Sequence, residues 1–141
     1  MTDDVAVIED LVAMFFGAFA SGPGVADRLD ALRAIFLPDA VIVRTCGGEP
    51  AVYDVDGFIA PRRALLAGGT LTGFSEWPLS GRVDVFGDIG HWFGSYAKSG
   101  VQDGTPLTGR GMKTLQFVRV AGEWRISAAA WDDERAGVVL L

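Results

Sequence analysis

Residues 36–46 read FLPDAVIVRTC, and within this stretch the chain changes from helical to extended. Pro38 disfavours the helical conformation at the residue before it, so a helix should end here. The β-branched residues that follow predict a strand from Ala40 to Cys46. The pattern is helical before this junction and mostly extended after it.

Two helices are predicted on the N-terminal side of the junction. Thr2 is a candidate N-cap, and apolar residues recur at steps of three and four from Val5 to Phe19. Ser21-Gly22-Pro23-Gly24 should end this helix. A second helix is predicted from Val25 to Phe36 and should end at Pro38.

A third helix and further strands are predicted on the C-terminal side. Gly47-Gly48 is a hairpin signal, and Gly87-Asp88 and Ala121-Gly122 are two more. The predicted elements are a strand 51–53, a helix 54–66, strands 74–86 and 89–98, a polar loop 100–109, and strands 112–120 and 123–132. This order predicts an α+β fold in which helices cover one face of an antiparallel sheet.

Length and charge narrow the class of protein. At 141 residues the chain fits one domain, 1–141, and its formal net charge of −6 disfavours nucleic acid and anionic membranes as partners. One cysteine and one histidine disfavour a disulfide and a metal site. Motifs that bind phosphate or a nucleotide are absent, so we expect no cofactor.

Two further expectations concern location and assembly. The acidic start of the chain is unlike a secretory signal, and the apolar stretch Leu11–Ala20 is too short to span a bilayer, so we expect a cytoplasmic protein. Hydrophobic residues make up 50% of the chain. This fraction favours a second covered face, and therefore a homodimer.

Three short motifs resemble the nuclear transport factor 2-like superfamily, which includes ketosteroid isomerases and SnoaL-like cyclases. They are FLPDA at 36–40, GDIG at 87–90, and GEWRI at 122–126, which runs on to Trp131. The resemblance implies a cystatin-like roll, in which a cone-shaped curved sheet wraps around three helices of the N-terminal half. It also implies an internal pocket for a small molecule and a homodimer formed through the outer face of the sheet.

The resemblance does not extend to the isomerase chemistry. Aligned on the junction, the catalytic aspartate of the ketosteroid isomerases falls at Arg44, which cannot act as a base. Their oxyanion-stabilising tyrosine falls near Phe15, and the strand 112–120, where they carry a second acid, has none.

His91 is the only histidine, so imidazole acid–base chemistry would have to use it. A two-residue turn at Gly87-Asp88 would place Asp84 opposite His91, where the aspartate could orient the ring. This pattern predicts a catalytic dyad. If the pair instead lies on the outer face, it is a structural or dimer contact.

Six further residues are candidates for binding a substrate. Arg44 shares a strand face with Ile42, so we expect it to be buried, either as a clamp for an oxygen anion or in an internal ion pair. Glu76 and Asp132 each adjoin a tryptophan, which for Asp132 is Trp131. An acid in an apolar pocket can act as a general acid. The alternative is that both acids are solvated at the ends of their strands. Tyr96 and Lys113 could line the same pocket.

The function remains open between three interpretations. The first is a cofactor-independent isomerase, dehydratase or cyclase acting on a hydrophobic carbonyl compound. The second is a non-catalytic binder of a small hydrophobic molecule, and the third is a dimeric association module. The apolar end Val138-Val139-Leu140-Leu141 should pack over the mouth of the cone or against a partner subunit.

Overall fold

The computed structural model describes residues 3–141 and confirms the α+β prediction. Three helices lie against a curved, unclosed six-stranded sheet with the strand order β2-β1-β6-β5-β4-β3. The elements are α1 Asp4–Gly17, α2 Val25–Ile35, β1 Phe36–Arg44, β2 Ala51–Tyr53, α3 Val55–Ala67, β3 Leu71–Phe86, β4 Ile89–Gln102, β5 Thr105–Val120 and β6 Glu123–Asp133.

The sheet is mixed, whereas the sequence pattern predicted an antiparallel one. β1 pairs parallel to β6, with Ile42 beside Ala129, while the other strand pairs are antiparallel. Parallel pairing needs a long connection, and α3 with β3–β5 supplies it. A short apolar strand reads the same in either direction, so its pattern could not reveal the orientation.

The predicted polar loop 100–109 is wrong, because β4 and β5 continue through it. The two strands meet at a two-residue turn in which Asp103 and Gly104 have φ angles of 50° and 81°. A two-residue hairpin turn of type I′ requires left-handed φ angles of this kind at both positions. Gly100 belongs to the strand: a Cβ there would lie 2.9 Å from Phe74 Cα, so glycine permits a close approach of two backbones.

The other predicted turns have mixed outcomes. Phe86 pairs with Ile89, and Val120 with Glu123, as the two later turn signals predicted. At Gly47-Gly48 the predicted two-residue turn is wrong, since Arg44 pairs with Ala51 and the connection spans residues 45–50. α2 ends at Ile35, because β1 already begins at Phe36.

Helix starts follow ordinary capping chemistry. Asp3 caps α1 by accepting hydrogen bonds from the amides of Val5 and Ala6, at 3.1 and 3.3 Å. The predicted cap, Thr2, lies outside the described residues. Asp54 caps α3 through the amide of Gly57, at 2.7 Å, and α3 continues past Pro61.

The two sheet faces differ in their environment. The inner face packs on the helices around an aromatic core, in which Phe16 meets Trp92 and Phe58 meets Trp131, both edge to face. We call the space between this face and the helices the cone interior. No helix among residues 3–141 is both long and apolar enough to cross a bilayer.

The chain end lies on the outer face of the sheet rather than over the cone. The amide of Leu140 donates to Glu134 Oε2 at 2.9 Å, and residues 139–141 border a groove with Phe93 and Met112. Of the two predicted positions for the tail, the cone mouth is therefore wrong.

Candidate functional site

Six charged or phenolic side chains meet in the cone interior, and we call them the interior cluster. They come from α3 and from the inner face of four strands: Arg62, Glu76, Tyr96, Lys98, Lys113 and Asp133. Strand alternation explains the set, because a residue on the inner face is followed two positions later by another.

Among residues 3–141, Lys113 is the most buried charged side chain. It is 4% exposed, and its ammonium lies 3.0 Å from Glu76 Oε1. Within residues 3–141 the buried Oε1 accepts no hydrogen bond of regular geometry. Burial lowers the pKa of Lys113, and the Glu76 charge only partly opposes that shift.

An aromatic cage surrounds the Lys113 ammonium. Five ring centroids lie between 4.4 and 5.6 Å from Nζ; they belong to Phe15, Phe16, Phe19, Tyr96 and Trp131. Ring faces attract a cation when water is excluded. The cage therefore offsets part of the cost of burying this charge.

A second pair lies beside the first. The Tyr96 hydroxyl donates to Asp133 Oδ1, and Lys98 Nζ lies 2.9 Å from Asp133 Oδ2. Burial and the neighbouring carboxylate raise the pKa of Tyr96, so its phenol stays protonated. Burial opposes ionisation of Asp133, but the hydrogen bonds from Tyr96 and Lys98 outweigh it and lower the pKa of that carboxyl.

Arg62 completes the cluster from the helix side. Its guanidinium carbon lies 3.9 Å from the Phe58 ring centroid and 5.4 Å from that of Trp131. Nη1 donates to the Phe58 carbonyl at 2.9 Å. Burial lowers the pKa of Arg62 below its ordinary value, and the Glu76 charge only partly opposes this shift.

A cavity of about 220 Å³ adjoins the interior cluster between α3 and the sheet. Its wall is mostly apolar and includes three charged side chains, Arg62, Glu76 and Lys98. The apolar and neutral lining consists of Phe19, Pro61, Leu65, Leu66, Leu71, Phe74 and Leu107. Sites for drug-sized ligands measure roughly 300–1,000 Å³, so this cavity suits a smaller molecule.

Four of the predicted binding residues meet in the cone interior, and two do not. Glu76, Tyr96, Lys113 and Trp131 come together there. Asp132 points to the other side of β6 and pairs with Arg135. The adjacent Asp133 holds the interior position, since alternation moves each neighbour to the opposite face.

Arg44 departs from the expected burial. It follows Ile42 on the same strand face but lies at the end of β1, where it is exposed. Among residues 3–141 it forms no ion pair, so the predicted internal pair is wrong.

Three members of the interior cluster were missed: Arg62, Lys98 and Asp133. Two of them had a usable signal, because Lys98 lies two residues after Tyr96 and Asp133 two after Trp131. The position of Arg62, one turn after Phe58 on α3, becomes informative only once the helix face is known.

The predicted contact between His91 and Asp84 is present. The two residues are paired across the hairpin, with His91 Nε2 3.1 Å from Asp84 Oδ2. The pair lies on the outer face, half exposed, because the neighbouring Trp92 occupies the inner face. This is the location for which we expected a structural or dimer contact. A hydrogen bond with His91 lowers the pKa of Asp84, and Arg82 adds to the effect.

The chemistry available in the cone interior is that of carboxylates, ammonium groups and a guanidinium. Within residues 3–141, no three histidine, cysteine or acidic side chains come together as metal ligands. Three members of the interior cluster, Arg62, Glu76 and Lys98, line the cavity.

Comparison with known proteins shows the fold. No protein-family profile and no curated protein matches the sequence. Among solved structures, one neighbour is a nuclear transport factor 2-like protein with a cystatin-like fold from Novosphingobium aromaticivorans. It has 22% identity and a TM-score of 0.66, over 92% of this chain and 81% of that chain.

Two further neighbours carry functional names. One is a type 2 hexachlorocyclohexane dehydrochlorinase, LinA, with 16% identity and a TM-score of 0.73, over 96% of this chain and 91% of the other. The second, from Exiguobacterium sibiricum, is considered a calcium/calmodulin-dependent kinase II association domain. It has 9% identity and a TM-score of 0.74, over 96% of each chain. The chain therefore has the nuclear transport factor 2-like fold.

Proposed function

We propose that this nuclear transport factor 2-like fold binds a small, largely apolar carbonyl compound in the cone cavity and moves a proton on it, with Glu76 as the base. The observation that carries the proposal is the Glu76 carboxylate, which lines an otherwise mostly apolar cavity and is held by Lys113 through Oε1. Its place in the cavity wall puts a proton acceptor next to the space in which a substrate would bind.

Lys113 supports this role by fixing the carboxylate. The contact at 3.0 Å occupies Oε1, and the aromatic cage holds the ammonium in place. Oε2 is then the oxygen left to face a substrate. Positioning of this kind accounts for much of an enzyme's rate acceleration.

The proposed step is proton abstraction next to a carbonyl group. Glu76 accepts the proton, the electron pair of the broken C–H bond moves towards the carbonyl oxygen, and an enolate forms. The Lys98 ammonium, which lines the same cavity, stabilises the negative oxygen. In a β,γ-unsaturated carbonyl compound the enolate is a dienolate, and return of the proton to its γ-carbon moves the double bond into conjugation, an isomerisation that needs no cofactor.

The pair His91 and Asp84 has no part in this step. Its place on the outer face separates it from the cone cavity, so the base role passes to Glu76. One structural neighbour is a dehydrochlorinase, so the fold accommodates elimination chemistry in that protein. Dehydration and cyclisation also begin with proton transfer and remain within the proposed class.

Deuterium exchange tests the proposal directly. With cyclohex-3-en-1-one in D2O, we expect the wild-type protein to speed the loss of the α-proton signal in the NMR spectrum. Glu76→Gln should slow this exchange by about a hundredfold or more, because the amide cannot accept the proton.

The matched control is His91→Gln, which should exchange at the wild-type rate. The base assignment fails if His91→Gln stops exchange and Glu76→Gln does not. Binding of the ketone without exchange in the wild-type protein would favour the second interpretation, a non-catalytic binder, which the apolar cavity wall also supports.

The proposed assembly is a homodimer formed through the outer face of the sheet. Phe86, Ile89 and Phe93 share that face and are 84%, 56% and 53% exposed. Large apolar side chains grouped on one face are typical of a protein interface. A structural neighbour considered an association domain is consistent with assembly by this fold.

A further inference from the structure

The interior cluster contains more positive than negative side chains. Its cations are Arg62, Lys98 and Lys113, and its carboxylates are Glu76 and Asp133. Each carboxylate is in contact with a lysine, Glu76 with Lys113 and Asp133 with Lys98. Among residues 3–141, Arg62 forms no ion pair, so it is the cation left without a partner.

Arg62 is also held in place. Its guanidinium stacks on Phe58 at 3.9 Å, and its one hydrogen bond within residues 3–141 goes to the Phe58 carbonyl. A guanidinium carries five N–H donors in a rigid fork that matches a carboxylate. A fixed, half-buried fork with unused donors at a cavity wall is suited to binding an anion.

The rest of the cavity selects for an apolar ligand body. Phe19, Leu66 and Phe74 line it together with Arg62. A strongly hydrated anion such as phosphate would leave this lining without a partner, whereas a carboxylate on an apolar body satisfies both parts. The volume of about 220 Å³ limits that body to a small ring or a short chain.

We infer that the natural ligand is a small monocarboxylate with an apolar body, and that Arg62 binds its carboxylate. The inference rests on the proposed function, because it takes the cone cavity as the ligand site. It narrows the substrate class to small acids that also carry a carbonyl group, with Arg62 on the carboxylate and Lys98 next to the carbonyl oxygen.

Binding of benzoate, compared with its neutral counterpart benzamide, tests the inference by calorimetry at pH 7. We expect the wild-type protein to bind benzoate about tenfold or more tightly than benzamide, because only the anion pairs with the guanidinium. Arg62→Gln should remove that preference and leave benzamide binding unchanged.

Arg63→Gln is the matched control. Arg63 is the next residue on α3 and carries the same charge. It pairs with Asp30 at 2.7 Å and does not line the cavity. It should keep the benzoate preference. Arg62→Lys serves if Arg62→Gln fails to fold; it should weaken benzoate binding, since an ammonium lacks the two-pronged fork.

Equal binding of benzoate and benzamide by the wild-type protein overturns the inference, as does unchanged benzoate affinity in Arg62→Gln. These outcomes are independent of the base. Glu76→Gln should stop deuterium exchange while retaining benzoate binding. If benzoate binding fails and exchange persists, the carboxylate site is wrong and the proton-transfer function stands. If benzoate binds with the expected preference and the wild-type protein does not catalyse exchange, the carboxylate site stands and the proton-transfer function is wrong.

Discussion

At the scale of single residues, the buried pair Glu76–Lys113 is the least expected feature. Removing two charges from water costs several kcal/mol per ion, and their attraction offsets this only when the geometry is good. Here Glu76 Oε1 lacks a hydrogen bond, so the pair is poorly satisfied. A protein selected only for stability would favour apolar residues at both positions. Their presence therefore supports a functional role.

A double-mutant cycle can test that view. Lys113→Met and Glu76→Leu should each lower the free energy of unfolding by about 3–5 kcal/mol, since each leaves one buried charge alone. The double variant should lose much less than the sum, because no charge then remains uncompensated. Urea unfolding gives the three values. Additive losses would contradict the interpretation of a coupled pair.

Asp84, on the outer face, has a lowered pKa that can be tested. The pKa of Asp84 is below its ordinary value of 3.8, first because of His91 and then because of Arg82. In His91→Asn we expect this pKa, followed by carbon NMR, to rise towards 3.8. An unchanged value would assign the shift to Arg82 alone.

The sign of the effect on stability follows from linkage. The Asp84 pKa is lower in the folded than in the unfolded protein, so its stabilising contribution is complete above pH 3.8. It is lost as the pH falls through the lowered value.

The sequence identified part of the candidate site at this scale. Glu76, Tyr96, Lys113 and Trp131 were selected from chemistry beside apolar residues, and all four lie in the cone interior. Asp132 was selected in place of Asp133 because two adjacent acids differ only in the face they occupy. Alternation cannot decide between them until the register is known.

At the scale of elements, β3 and β4 are shaped around one indole. Trp92 lies over Gly81 and Gly94, where a Cβ would come within 2.3 and 2.4 Å of the ring. Its other side meets Phe16 of α1. Two glycines on adjacent strands thus make room for the ring that joins the hairpin to the helix.

Gly94→Ala should therefore destabilise the protein. The added methyl group meets both Trp92 and the Ser80 carbonyl, so we expect a loss of about 1–3 kcal/mol in the free energy of unfolding. Gly48→Ala is the control, because no atom lies within 4 Å of its Cβ position. Thermal unfolding of both variants gives the comparison, and equal melting temperatures would refute this account of the glycines.

The elements themselves were largely predictable. The sequence pattern marked all three helices, and tight-turn pairs marked two hairpins. The third pair, Asp103-Gly104, was overlooked because nearby glycines suggested a loop. Those glycines serve packing instead, since Gly100 lies against Phe74. A glycine in a strand and a glycine in a loop look alike until the neighbouring strand is in place.

At the scale of the whole molecule, the outer face is the exposed counterpart of the cone interior. Its apolar side chains lie beside the half-exposed His91–Asp84 pair. A face of this kind buries its apolar area when two copies meet. The sequence composition predicted a second covered face, and the structure shows which apolar residues the outer face carries.

Phe93→Glu should disrupt the proposed homodimer. A charge at the centre of an apolar interface opposes its burial, so the mass measured by light scattering should fall from that of two chains to that of one. Met14→Glu is the control; Met14 is similarly exposed, but on α1. A wild-type protein that is already monomeric, or a Phe93→Glu protein that stays dimeric, would contradict assembly through this face.

The parallel pairing of β1 with β6 has a consequence for biosynthesis. A ribosome releases Ile42 long before Ala129, its neighbour in the sheet. The phenylalanines of α1, including Phe16, likewise emerge well ahead of Trp92. The first third of the nascent chain must therefore wait, with its apolar side chains uncovered, until the last strands leave the exit tunnel. Chaperones that hold apolar segments would therefore have their longest opportunity at the N-terminal helices.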